Sequence, residues 1–151
     1  MRLKIVFIFC MATLLIACSD TEFHFKGGEK KALSDFQGEW LLINYWAGWC
    51  KPCIHEIPEL NKLDAVTGIQ VFGYNYDHLS GEALEEEAGR FGIAYPSLIV
   101  QPHEVFGQSA PGGIPATMLI DPDGRFREWL MGPQTKVSIM AAIDSQRSTA
   151  R

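Results

Sequence analysis

The sequence predicts an α/β domain with parallel strands, on the evidence of two apolar runs and the helical pattern between them. Residues 41–46 and 69–76 are mostly apolar, as is typical of strands buried on both faces of a sheet. Between the two runs, Ile57, Leu60 and Leu63 recur at the spacing of one helical face. A strand, a helix and a second strand in this order favour a βαβ unit with a right-handed crossover.

Residue types near the ends of the helical patterns indicate where the helices begin and end. Pro52 suits the first turn of a helix, where its missing N–H group would have no helical partner. We expect this helix to kink at Pro58 and to end near Gly68. A second helix is expected to follow Ser80, a residue type that favours the N-cap position. Its apolar face comprises Leu84, Ala88 and Phe91.

The C-terminal part of the chain predicts a hairpin and a closing helix. Residues 117–120 and 125–130 flank the turn sequence Asp-Pro-Asp-Gly, which favours an antiparallel hairpin. Residues 136–143 predict a short helix. The polar residues 147–151 are expected to fray.

The composition fits a single globular domain that does not bind nucleic acid. The chain has 151 residues, of which 47% are apolar, and its formal net charge is −5. Because a negative protein is repelled by the phosphate backbone, no nucleic-acid partner is expected. A domain of this size buries enough surface to fold without disulfides or a metal, and we expect it to be a monomer.

The N-terminal segment has the pattern of an export signal. Arg2 and Lys4 precede an uncharged run to residue 17 that is too short for a membrane-spanning helix, which needs about 20 residues. The run ends in Leu-Ile-Ala-Cys, which resembles the lipobox of bacterial lipoproteins. That resemblance implies a signal peptide at residues 1–17, a lipidated Cys18 and a tether at residues 18–22. The alternatives are cleavage by ordinary signal peptidase and a short anchor with an incidental cysteine.

The lipobox also implies a location. The protein is expected on the periplasmic side of a bacterial membrane, anchored by the lipid on Cys18, in a compartment where disulfides persist. Ser19 and Asp20 follow that cysteine, a combination that leaves the inner and the outer membrane undecided.

The cysteines favour redox chemistry. Cys10 lies in the predicted signal peptide and Cys18 carries the predicted lipid, so only Cys50 and Cys53 remain. Two cysteines separated by two residues cannot build a structural disulfide framework, and a redox-active pair is the preferred interpretation. A metal site would need further ligands at paired spacing, and haem attachment would need a histidine directly after Cys53, where Ile54 stands.

Residues 33–38, 41–53, 56–60 and 113–117, the last leading to Ile120 and Asp121, follow one another along the chain. Together they resemble the thioredoxin superfamily, and within it the membrane-tethered TlpA/ResA-like thiol-disulfide oxidoreductases. The resemblance implies a thioredoxin fold over residues 23–146, with a central mixed sheet flanked by helices and an N-terminal β extension. It also implies a cis peptide bond between Ile114 and Pro115, beside the cysteines.

The position of the pair and the resemblance suggest a role for each site residue. A helix N-terminus favours the anion of Cys50, which is expected to be the exposed nucleophile, while the inward-facing Cys53 is the resolving thiol. Glu56 lies one helical turn after Cys53, and the family has a functional Glu there. It is the candidate acid/base group because Asn44 stands where thioredoxin has a buried Asp; the alternative is a surface glutamate.

The remaining site residues are expected to contact the substrate. Trp49 is expected to cover the pair, and the resemblance adds Pro115 to the catalytic residues. The other expected substrate contacts are Lys51, Pro52 and Ile114.

The resemblance implies a reductant of protein disulfides, like relatives that act in cytochrome c or copper-site maturation. Its electrons would come from a donor in the inner membrane, and its redox centre would be the Cys50–Cys53 disulfide, with no cofactor and no metal. Two alternatives stay open. One is a DsbA-like oxidant, and the other is a copper- or haem-binding chaperone that uses the same cysteines.

Overall fold

A five-stranded mixed sheet forms the centre of the protein. The computed structural model describes residues 22–149. The strands are β1 Glu22–His24, β2 Lys30–Ala32, β3 Trp40–Trp46, β4 Ile69–Asn75, β5 Ser97–Leu98, β6 Ala116–Ile120 and β7 Phe126–Met131. The helices are a 3-10 helix at Leu33–Phe36, then α1 Lys51–Asp64, α2 Gly81–Arg90, α3 Pro102–Val105 and α4 Lys136–Thr149.

The strands of the main sheet lie in the order β5-β4-β3-β6-β7. The pairs β3–β4 and β4–β5 are parallel, whereas β3–β6 and β6–β7 are antiparallel. Helix α1 connects β3 to the parallel β4, so the predicted βαβ unit is confirmed. The predicted C-terminal hairpin is also confirmed, as β6 and β7.

Strand β3 is buried on both faces of the sheet, as its apolar sequence predicts. All seven of its residues are buried. Ile43 and Tyr45 belong to the apolar cluster that includes the N-terminal phenylalanines, while Leu42 packs with residues of α1 and α4. Each large apolar side chain buried in this way contributes roughly 1.5–3 kcal/mol. This burial therefore fixes the end of β3, from which the turn leads to the cysteine pair.

The N-terminal β extension is confirmed as a separate two-stranded hairpin. Strands β1 and β2 pair with each other in antiparallel fashion, outside the main sheet. Phe23 of β1 is fully buried, and its ring centroid lies 6.0 Å from the ring of Phe36 and 6.0 Å from the ring of Phe72. The hairpin thus covers the face of the sheet opposite α1.

Of two predicted helix boundaries, the end of α1 differs from the prediction and the start of α2 is confirmed. Helix α1 contains Pro58 as predicted but ends at Asp64 rather than near Gly68. The Asp64 carboxylate accepts the backbone N–H of Val71 at 3.0 Å, which ties the helix end to β4 and makes the chain turn early. Ser80 is the N-cap residue of α2, although its side chain makes no capping hydrogen bond.

Helix α4 is longer than the predicted 136–143 and continues to Thr149. Gln146 explains the extension, because its side chain accepts a hydrogen bond from Arg127 at 3.0 Å and donates one to Glu128 at 2.7 Å. Both partners lie on β7, so the end of α4 is held against the sheet. Residues 147–149, which were predicted to fray, are therefore helical.

Several predictions concern residues outside the described range. These are the signal peptide at residues 1–17, the lipid on Cys18, the tether up to residue 21, and residues 150 and 151 of the predicted tail. Within residues 22–149, none of the helices combines the length and the apolar character that crossing a membrane requires.

Candidate active site

The two predicted redox cysteines lie between β3 and α1. The turn after β3 is closed by a hydrogen bond from the Cys50 N–H to the Ala47 carbonyl, at 3.1 Å. Cys50 is the N-cap residue of α1, and its sulfur accepts the backbone N–H of Cys53 at 3.3 Å. The two sulfurs form a disulfide between Cα atoms 5.3 Å apart. Once the disulfide is reduced, the same helix N-terminus favours an anion on Cys50.

Both cysteines are shielded from solvent in this oxidised state. Cys53 is 0% exposed, as its predicted inward position requires, and Cys50 is only 4% exposed. The expectation of an exposed Cys50 is therefore wrong for the disulfide form. The pair is enclosed in an apolar cluster whose other buried members are Trp46, Ala47, Leu84 and Ala88. A partner must reach the small exposed part of Cys50, since Cys53 offers none.

The peptide bond between Ile114 and Pro115 is cis, as the resemblance implied. Ile114 packs against the apolar cluster that contains both cysteines. The Pro115 carbonyl accepts the Gly132 N–H at 2.9 Å, and β6 begins directly after it. This segment is consequently held both by Gly132, which follows β7, and by β6, into which it leads.

The exposed rim of the site consists of Trp49 and the first helical residues. The Trp49 side chain is 64% exposed, and its indole N–H donates to the two carboxylate oxygens of Asp77 at 3.1 and 3.0 Å. Lys51 and Pro52 are also exposed. The indole is thus a surface group held by Asp77, a residue that the sequence analysis did not identify.

Glu56 is buried behind the pair, one helical turn after Cys53. Its side chain is 2% exposed, so the alternative of a surface glutamate is wrong. One carboxylate oxygen accepts the side-chain N–H of Asn44 at 2.6 Å, and the other accepts the backbone N–H of Gln134 at 2.7 Å. Burial raises the pKa of Glu56 to about 7, even though both hydrogen bonds act to lower it. A carboxyl group with this pKa can exchange protons with a thiol near neutral pH.

Asn44 connects Glu56 to residues that the sequence analysis missed. It is fully buried, and its side-chain oxygen accepts a hydrogen bond from the Tyr95 hydroxyl at 3.2 Å. Its side-chain nitrogen also lies 3.5 Å from the hydroxyl of Thr117, its register partner on β6. Tyr95 and Gln134 are 51 and 78 residues away from their partners, so no local sequence pattern could reveal these contacts.

The sequence pattern of the AhpC/TSA family matches residues 17–128 of the chain. The chain belongs to the AhpC/TSA family. Thiol-disulfide oxidoreductase ResA of Geobacillus kaustophilus (strain HTA426) is 32% identical to it over 124 residues, which cover 78% of this chain and 69% of that protein.

Two solved structures resemble this AhpC/TSA-family protein in fold. The thioredoxin domain of a thiol-disulfide oxidoreductase from Bacteroides vulgatus superposes with a TM-score of 0.64 at 19% identity, over 83% of this chain and 95% of that one. A DsbF homologue from Corynebacterium diphtheriae superposes with a TM-score of 0.68 at 22% identity, over 83% and 85% of the two chains. The predicted thioredoxin fold is thereby confirmed.

This AhpC/TSA-family protein is a thiol-disulfide oxidoreductase of the ResA type, and its redox-active group is the Cys50–Cys53 disulfide. In such chemistry a thiolate attacks a disulfide sulfur and forms a mixed disulfide, which the second cysteine then resolves. Among residues 22–149, no group of three or more His, Cys, Asp or Glu side chains is arranged to hold a metal ion.

Proposed function

We propose that the protein is an exported, lipid-tethered reductant of protein disulfides. The observation that supports this direction best is the buried Glu56 carboxyl one helical turn from Cys53. A negative charge near a cysteine disfavours its thiolate, and a destabilised thiolate favours the disulfide over the dithiol. Such a pair gives up its two electrons readily, whereas the oxidant DsbA owes its potential to a stabilised reduced form.

The reductant mechanism uses both cysteines and Glu56. The Cys50 thiolate attacks one sulfur of the substrate disulfide, and the other substrate sulfur leaves as a thiolate. Cys53 then transfers its proton to the Glu56 carboxylate and attacks the Cys50 sulfur. The remaining substrate thiolate leaves, so two electrons reach the substrate and the Cys50–Cys53 disulfide forms.

The proposed substrates are disulfides in apocytochrome c or in copper-site proteins. The ResA-type resemblance supports this class, and the low exposure of Cys50 favours a partner that can insert an extended segment. Oxidation of the pair leaves it unable to reduce a second substrate, so the protein needs an electron donor. The resemblance to membrane-tethered oxidoreductases supports a donor protein in the inner membrane.

The proposed location is the periplasmic side of a bacterial membrane, with lipid on Cys18. The sequence of residues 1–18 supports it, and β1 begins at Glu22, four residues after Cys18. An extended chain covers about 3.3–3.6 Å per residue, so the domain would lie within roughly 15 Å of its anchor. Cys18→Ser is expected to release the protein from the membrane fraction. A protein that stays membrane-bound after this change would contradict the lipid anchor.

The decisive measurement for the direction is the reduction potential of the Cys50–Cys53 pair. We expect a value closer to that of thioredoxin, about −270 mV, than to that of DsbA, about −120 mV. A value near the DsbA end would replace the reductant by a DsbA-like oxidant.

The substrates can be identified by trapping. Cys53→Ala removes the resolving thiol, so partners should accumulate as mixed disulfides on Cys50, and mass spectrometry would show whether they are apocytochromes or copper proteins. Cys50→Ala is the matched control, because it removes the attacking thiol. Copper or haem binding that depends on both cysteines, without any disulfide exchange, would favour the chaperone alternative.

A further inference from the structure

The side chain of Tyr95 reaches Glu56 through a single intervening residue. The Tyr95 hydroxyl donates to the side-chain oxygen of Asn44 at 3.2 Å, and the Asn44 nitrogen donates to Glu56 at 2.6 Å. Tyr95 is 3% exposed, Asn44 0% and Glu56 2%. The three side chains therefore form a hydrogen-bonded chain that ends one helical turn from Cys53.

The polarity of this chain is determined by its two ends. An ionised carboxylate can only accept hydrogen bonds, so Asn44 must present its NH2 group to Glu56. The oxygen of the same amide then points away and needs a donor, which is the Tyr95 hydroxyl. Burial and the nearby Glu56 and Asp64 carboxyls raise the pKa of Tyr95 far above its usual range, so the hydroxyl keeps its proton.

Tyr95 is fixed in this position from several sides. At Gly73 on β4, an added Cβ would lie only 3.1 Å from the Tyr95 ring, so the absence of a side chain there gives the ring its place. On one side of Tyr95, the N–H of Ala94 donates to the side-chain oxygen of Asn61 on α1 at 3.0 Å. On the other side, the carbonyl of Pro96 accepts the Gly73 N–H at 2.8 Å. Packing and backbone hydrogen bonds therefore fix the position from which the Tyr95 hydroxyl donates.

We propose that Tyr95 is a positioning residue for disulfide exchange, orienting the Asn44 amide so that Glu56 accepts the proton of Cys53. The inference rests on the proposed role of Glu56 and extends it to Tyr95, whose hydroxyl bonds Asn44. With the hydroxyl in place, the Asn44 amide stabilises the ionised carboxylate that must receive the proton. Without it, the amide can rotate, and the carboxylate loses that support.

The groups that surround the Glu56 carboxyl are uncharged, so Glu56 is the group of this network that can take up a proton. Asn44 comes from β3, Thr117 reaches the same amide from β6, and the loop before α4 supplies a backbone N–H. Glu59, on the exposed side of α1, is occupied by Lys62 and by the backbone N–H of Lys136. The cysteine on the same helix face is Cys53, whose proton the mechanism transfers.

The test follows the second step of exchange with Ellman's reagent and the reduced full-length protein. Cys50 first displaces one thionitrobenzoate and becomes a mixed disulfide. Cys53 then loses its proton, attacks Cys50 and releases the second thionitrobenzoate, and the rate of this release is measured against pH. In Tyr95→Phe we expect the midpoint of this profile to rise by about one pH unit. That is a tenfold change in proton affinity, or about 1.4 kcal/mol.

The controls separate a positioning role from a structural one. Tyr74→Phe removes another buried tyrosine hydroxyl, one that bonds His78 instead, and should leave the profile unchanged. The pH dependence of the first step, which reports Cys50, should be the same in all variants. In a Glu56→Gln background, Tyr95→Phe should cause no further shift, because its effect passes through Glu56.

The remaining outcomes contradict either the role of Tyr95 or the role of Glu56. A profile that Glu56→Gln flattens but Tyr95→Phe leaves in place overturns the Tyr95 inference alone. A profile that Glu56→Gln does not change removes the proposed role of Glu56 itself. If Tyr95→Phe does not fold, 3-fluorotyrosine at position 95 provides a stronger donor of the same shape. It should lower the midpoint, and no change would overturn the inference.

Discussion

Asn44 and Tyr45 are neighbours on β3, but their side chains lie in two buried polar regions on opposite faces of the sheet. On the α1 face, Asn44 bonds the carboxyl of Glu56 and the hydroxyl of Tyr95. On the other face, the Tyr45 hydroxyl lies 3.2 Å from the ring nitrogen of His103 and accepts the His103 backbone N–H at 2.9 Å. Both regions satisfy buried polar groups with hydrogen bonds, as folded proteins generally must.

The two regions differ in their position relative to the cysteines and in the pKa values of Glu56 and Tyr45. The α1-face region contains a carboxyl whose pKa burial raises to about 7, on the helix that carries both cysteines. In the other region, burial raises the pKa of Tyr45 far above its usual range, so its phenol stays neutral. The α1-face region thus combines a carboxyl that can titrate near neutral pH with the helix on which the cysteine pair lies.

The largest expected effect tests this difference in the kinetics of Cys53. Glu56→Gln keeps the shape of the side chain but cannot accept a proton. General acid–base catalysis typically contributes 10²–10⁴-fold, so resolution of the mixed disulfide should slow by about 10² or more near pH 7. Tyr45→Phe, on the other face, should leave this rate unchanged. A similar loss in both variants would show that the two faces do not differ in role.

The stability of the protein should show the same difference as a function of pH. Burial favours the neutral carboxyl of Glu56, so the folded protein binds this proton more tightly than the unfolded chain does. Its stabilising contribution is complete below about pH 4.5 and is lost as the pH rises through about 7. The total is on the order of 3 kcal/mol. Urea unfolding from pH 4 to 8 should show this decline in the wild type and a much flatter dependence in Glu56→Gln.

The residues that sequence reasoning placed correctly are those with a local signal. The βαβ unit follows from the apolar run of β3 and the spacing of Ile57, Leu60 and Leu63, because burial on one or both faces leaves a period in the sequence. The cis bond before Pro115 followed from a resemblance over short motifs.

The residues that sequence reasoning missed depend on contacts between distant segments. Tyr95 and Gln134 meet the Asn44–Glu56 pair only because the loops before β5 and α4 end beside α1. The low exposure of Cys50 depends in the same way on α2 and on Ile114. Helix ends behave similarly, since the end of α1 bonds a backbone N–H of β4 and the end of α4 bonds a side chain of β7. These contacts follow from the packed fold, not from any local pattern.

The turn before the cysteines offers a test of how tightly the α1 face is packed. A Cβ added at Gly48 would collide with the Glu87 carboxylate and lie 3.1 Å from the Phe91 ring. The Glu87 carboxylate ends a flexible side chain and can move aside, whereas the Phe91 ring must shift by a few tenths of an ångström, so the cost should be about 1 kcal/mol, the low end for overpacking. Gly48→Ala should therefore lower the melting temperature slightly and alter the alkylation rate of reduced Cys50. Gly89→Ala is the matched control, because its Cβ would meet nothing within 4 Å. Gly89 is the penultimate residue of α2, so that change should leave the stability unchanged or raise it by less than the roughly 0.5–1 kcal/mol of a mid-helix position.

The region around Tyr45 should matter for stability and not for exchange. Tyr45→Phe leaves the buried backbone N–H of His103 without its acceptor, which costs at least about 1 kcal/mol. Chemical denaturation should show this loss, while the exchange rate and its pH profile stay those of the wild type. A shifted profile would mean that the two polar regions communicate across β3.

The smallest effect concerns the exposed Trp49, which belongs to neither buried region. Trp49→Phe removes the hydrogen bond to Asp77 but keeps an aromatic ring at the position before Cys50. Exposed hydrogen bonds contribute little, so stability should fall by about 0.5 kcal/mol. If the indole serves substrate contact, exchange with a protein disulfide should weaken, while exchange with Ellman's reagent stays the same. If Trp49→Phe exchanges with both substrates at the wild-type rates, Trp49 is a surface residue held by Asp77 and has no part in recognition.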